Sequence, residues 1–69
     1  ERSLPQEQVL ETVRYAVQAH GGERGELIPL LLEINRALGY IPTLAMAELS
    51  RLTRIPLSEI FSVATFYSM

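Results

Sequence analysis

Three interruptions govern what this chain can fold into: Gly21-Gly22, the segment Gly39-Tyr40-Ile41-Pro42, and Ile55-Pro56. Glycine opens the left-handed conformations that end helices, and a residue before proline is driven away from helical angles. The short stretches between these breaks each carry apolar residues at helical spacing. Ser3 with Gln6 three residues later reads as a capping box, with Pro5 near the first helical position. The first helix is therefore expected at about 4 to 20, with Val9, Leu10, Val13 and Val17 inward and Glu7, Glu11, Arg14 and Gln18 between them. The second opens near Arg24 or Gly25 and carries Leu27, Ile28, Leu31, Ile34 and Leu38 up to the stop at Gly39. Pro29 is tolerated there because first-turn N–H groups have no intrahelical acceptor. Leu30 and Leu32 widen its apolar surface and mark it as the central helix. Thr43 is placed to cap a third helix over about 43 to 53, with Leu44, Ala47, Leu49 and Leu52 as core candidates. Pro56 starts a fourth, with Glu59 in its first turn and Ile60, Val63, Ala64 and Tyr67 along it. The expected fold is all-α, a small bundle of four short helices in one domain spanning residues 1-69.

A hydrophobic fraction of 48% is too high for a disordered tail. Apolar runs such as Leu30 to Leu32 are far too short to span a bilayer. At this length folding buries only about 60% of the surface the unfolded chain exposes, so stability is thin and a neighbour is expected. Glu1-Arg2-Ser3-Leu4-Pro5 lacks a basic stretch followed by an apolar core, so no secretory signal is expected there.

The chain has no cysteine, which removes disulfides and thiolate metal sites. His20 is the single histidine and reads as a solvated helix-end residue favoured by the dipole. Gly21, Gly22 and Gly25 match no phosphate-binding loop. Glu7, Glu11, Glu33 and Glu48 suggest a di-iron carboxylate cluster, but that design needs a Glu-x-x-His pair on each of two helices. They read instead as solvated faces, with Glu11–Arg14 and Glu33–Arg36 as weak helix pairs. No Asp exists to orient His20 toward a serine, so catalysis by this segment is not expected. The stretch 47 to 63 has the cadence of a helix-turn-helix. However, from Pro56 to Met69 there is no basic residue, and the net charge is -2, a poor basis for reading DNA.

The last helix is apolar nearly all round, through Ile60, Phe61, Val63, Ala64, Phe66, Tyr67 and Met69. One face of a small bundle does not cover them all, so Phe61, Phe66 and Tyr67, with Tyr40, Ile41 and Pro42 of the link between the second and third helices, are the candidate partner-docking residues. The abrupt ending in this helix is expected of a piece of a longer subunit.

Four segments in order and spacing carry a resemblance: Ile28-Pro29-Leu30-Leu31-Leu32-Glu33-Ile34, Gly39-Tyr40-Ile41-Pro42, Leu57-Ser58-Glu59-Ile60 and Val63-Ala64-Thr65-Phe66-Tyr67-Ser68. Over about 25 to 69 the chain resembles the N-terminal helical region of the thioredoxin-like 2Fe-2S subunit of respiratory complex I, a subunit type also found in NAD(P)-linked hydrogenases and formate dehydrogenases. The first helix fits that pattern only loosely. The resemblance implies a following thioredoxin-like domain whose cysteines hold a 2Fe-2S cluster, and a partner subunit that binds FMN and NAD(P). It also implies a cytoplasmic location, free or on the cytoplasmic face of a membrane complex, with neither nucleic acid nor direct membrane insertion. A free-standing helical adaptor and a helix-turn-helix regulator are the alternative readings. With no thiolate available, reconstitution of this segment with iron and sulfide under reducing conditions is expected to leave it colourless; a stoichiometric cluster absorbance after desalting would contradict that.

Overall fold

The computed structural model describes residues 4–67, with Tyr67 described by its backbone alone. Helix α1 spans Gln6–His20, α2 Leu27–Leu38, α3 Thr43–Thr53 and α4 Leu57–Tyr67, and a 3-10 turn over Arg24–Glu26 leads into α2. Among the described residues there is no strand. The all-α bundle is thus observed, and α3 has the bounds expected of it.

The helix starts differ from expectation in one respect. Pro5 and Pro42 occupy the N-cap positions of α1 and α3, and neither helix start has a side-chain cap. Thr43 is already the first helical residue, and Ser3 lies outside the described residues. Proline replaces the hydroxyl cap: its fixed φ aims the chain while its carbonyl takes the first helical bond. Val9 N–H donates to Pro5 O at 3.1 Å, Met46 N–H to Pro42 O at 3.2 Å and Ile60 N–H to Pro56 O at 3.1 Å. Pro29 lies within the first turn of α2, as the missing N–H requires. Gly39 closes α2 at φ 88°, where a Cβ would be strained.

Helix α1 packs against both α2 and α3, and α4 closes across α2 and α3. Each helix packs mainly against two neighbours, and α2, expected to be central, contributes the fully buried Leu30, Leu31 and Ile34. Arg14 of α1 reaches Glu48 of α3, and a Cβ at Gly22 would touch both Val17 and Thr53, so α1 and α3 run the same way. The ion pair between Arg24 and Glu59 brings the starts of α2 and α4 together, at the end of the bundle where α1 and α3 finish.

The core joins Val9, Val13 and Ala16 to Leu27, Leu30, Leu31 and Ile34, then to Ala45, Met46, Leu49, Ile60 and Ala64. Ile41 and Ile55 plug it from the two connecting turns. Two sequence expectations shift by part of a helical turn. Ile28 and Leu32 stand on the surface of α2 while Leu30 is buried, and Ala47 of α3 is exposed while Ala45 and Met46 are buried. Both helices are apolar over more than one stripe, so periodicity alone leaves the inward face undetermined. Leu31 and Ile34 have no solvent exposure. Truncating either to Ala is expected to cost about 2 to 5 kcal/mol in urea unfolding, and two variants as stable as the parent would show that α2 is not the core.

Candidate docking surface

Helix α4 buries Ile60 and Ala64, half-buries Val63, and leaves Leu57, Phe61 and Phe66 outside. Phe61 is 59% exposed and Phe66 82%. After Glu59 the helix carries no charged residue, so this outer surface is uncharged, with the exposed Leu57, Phe61 and Phe66 interleaved with exposed Ser58, Ser62 and Thr65. Leu57 and Phe61 lie one turn apart and share a face.

The Gly39–Pro42 turn splits its residues between surface and core. The left-handed Gly39 reverses the chain so that Tyr40 projects to solvent, Ile41 enters the core and Pro42 is half-buried. Tyr40, Phe61 and Phe66 are therefore the docking candidates that the structure places on the surface, whereas Ile41 packs in the interior. The side chain of Tyr67 lies outside the described residues. Leu57, Ile28 and Leu32 add exposed apolar area that the sequence reading did not assign to the surface. For Leu57 the available signal was its spacing of four from Phe61.

The carboxylates also divide in a way the sequence did not show. Glu7 and Glu11 are exposed and Glu33 is half-buried, with Arg36 Nη2 donating to Glu33 Oε1 at 2.6 Å as expected. Glu48 is buried, and the solvated role expected for it is overturned. Arg14 reaches across from α1 to donate through Nε to Glu48 Oε2 at 2.9 Å, in place of the expected Glu11 pair. Arg51 holds the same carboxylate with two bonds, Nε to Oε1 at 3.0 Å and Nη2 to Oε2 at 2.7 Å. The Arg51 bonds, assisted by Arg14, outweigh the burial that opposes ionisation and lower the Glu48 pKa to about 2. His20 is exposed at the end of α1, with Nδ1 3.8 Å from Glu26 Oε1.

A family model for thioredoxin-like [2Fe-2S] ferredoxins matches residues 13–69. The chain belongs to this family. The match reaches further upstream than the quoted segments, into the middle of α1. No solved structure matches the chain. A [2Fe-2S] cluster is held by cysteine thiolates, or by cysteines with two histidines. This chain contains no cysteine, and among the described residues no three His, Cys, Asp or Glu side chains gather where a metal could sit. The residues present do not fit the cluster. No described helix is long and apolar enough to cross a membrane.

The Glu48 clamp yields a pH prediction. Its carboxyl titrates at about 2 when folded against an ordinary value of 4.5. The clamp's stabilisation is thus complete above pH 4.5 and is lost as pH falls toward about 2. Because both arginines are largely exposed, solvent screening holds the effect to about 1 to 2 kcal/mol. In acid titrations followed by urea unfolding, Glu48→Gln should be less stable near neutrality and show a flatter profile through this window. Parallel profiles for the two proteins would contradict the clamp.

Proposed function

We propose that this bundle is the non-catalytic assembly domain of a 2Fe-2S electron-transfer subunit in an NAD(P)H-linked oxidoreductase complex, of the NADH dehydrogenase, NAD(P)-reducing hydrogenase or formate dehydrogenase type. The cluster sits in a thioredoxin-like domain of the parent subunit, outside these residues. FMN and NAD(P) belong to the partner subunit, and the complex works in the cytoplasm or at the cytoplasmic face of a membrane. The supporting observation is the combination of family membership with a folded domain that lacks every cluster ligand and leaves apolar side chains uncovered along α4.

The physical role follows from that combination. Electron transfer between a flavin and a cluster needs the two carriers held at a fixed separation. A helical bundle anchored by a tight core supplies a rigid surface, and aromatic side chains bury large areas on docking at little cost in rotamer entropy. Tyr40, Phe61 and Phe66 are the anchors in this reading, with Leu57 beside Phe61. A DNA-reading role for α3 and α4 gains nothing from the structure, since α4 presents Leu57, Phe61 and Phe66 where a recognition helix needs basic or amide groups.

Phe61→Ala in the complete subunit is expected to weaken binding to the flavin-bearing partner by about 1 to 3 kcal/mol while leaving the thermal melt unchanged. Unaltered binding, or a melt lost along with binding, would remove Phe61 from the docking surface.

A further inference from the structure

Helices α1 and α2 end on glycine, each with positive φ, but α3 ends on Arg54 at φ 66°. A residue with a Cβ is disfavoured in the left-handed region, so glycine is the ordinary occupant of such a position. An arginine held there is unfavourable for the backbone, which directs attention to its side chain.

Nothing in the described fold engages that side chain. Arg14 and Arg51 are bound to Glu48, Arg24 to Glu59 and Arg36 to Glu33. Among the described residues Arg54 is the one arginine with no carboxylate partner, and it is exposed. Its nearest acidic neighbour along the chain, Glu59, is already occupied by Arg24. Arg54 precedes the exposed Leu57 by three residues, and Phe61 follows one helical turn later. The α3–α4 turn thus presents an uncommitted cation three residues before the exposed Leu57.

We propose that Arg54 is the electrostatic anchor of the docking surface, and that the partner meets it with a carboxylate set in an apolar patch. This rests on the docking role proposed above and adds the partner's chemistry. The two-pronged guanidinium matches a carboxylate geometrically, and contact of Leu57 and Phe61 with the partner would exclude water and strengthen the pair. A charge at the rim of an interface acts mainly by steering association and setting its salt dependence.

The test uses the complete 2Fe-2S subunit and its flavin-bearing partner, with binding followed kinetically across a salt series. Arg54→Gly removes the guanidinium and relieves the left-handed backbone, so the melt should hold or rise. Binding should nevertheless weaken about tenfold, with slower association and a flatter salt dependence. Arg54→Lys should retain most of the salt dependence. Arg54→Gly binding with parental affinity and salt dependence overturns the proposal. If Leu57→Ala and Phe61→Ala still weaken binding in that case, the docking reading survives and the Arg54 anchor alone fails. If those variants also bind normally, the docking reading fails and the anchor falls with it.

Discussion

None of these helices is long enough to persist alone in water, so each exists because it adds to a shared apolar cluster. Leu30, Leu31 and Ile34 of α2, Val13 of α1, Leu49 of α3 and Ile60 of α4 are all fully buried, and together they tie every helix to the others. The connections serve the same cluster. Ile41 and Ile55 turn inward from the two tight links, so even the non-helical segments contribute core. Proline carbonyls open α1, α3 and α4, and positive-φ C-caps close α1, α2 and α3, which leaves the packing to decide how the helices are rotated.

The Glu48 clamp is the one buried charge among the described residues, and it joins the two helices that pack most extensively. A carboxylate in that position is costly unless fully paired, and three donated bonds from two arginines satisfy it. Arg51 moves with Glu48 on α3, so the tie between the two helices is the single bond from Arg14, which a rotation or slide of α3 against α1 would break. The clamp lies between α1 and α3, while α4 leaves Leu57, Phe61 and Phe66 exposed.

Much of the fold was legible because its boundaries rest on proline and glycine, whose backbone constraints are local. The bounds of α3 and the tolerated Pro29 follow directly from that chemistry. Rotational phase was less legible. In α2 and α3 the apolar residues cover more than one stripe, so Ile28 and Ala47 read as well for the interior as Leu30 and Ala45 do. Ile41 was drawn into the docking surface with its neighbours because a short link has no period to separate inward from outward residues. Glu48 was invisible for a different reason: Arg14 lies 34 residues away, and nothing local distinguishes this glutamate from its solvated counterparts. The exposure of Phe61 and Phe66 was legible from the excess of apolar circumference, whereas Tyr40 sits in the link, where no period separates it from Ile41. Arg54 carried a signal that went unused, an arginine immediately before Ile55-Pro56 where a helix must stop.

The proposed docking role rests on Tyr40 of the link before α3 and on Phe61 and Phe66 of α4, all exposed. Hydroxyl-radical footprinting of the complete 2Fe-2S subunit, alone and bound to its flavin-bearing partner, reads that directly at aromatic side chains. Tyr15, 69% exposed on α1, provides the internal control. The proposed docking role requires that labelling of Tyr40, Phe61 and Phe66 fall sharply on binding while Tyr15 stays labelled; equal labelling of Phe61 and Phe66 in the free and bound subunit would contradict it.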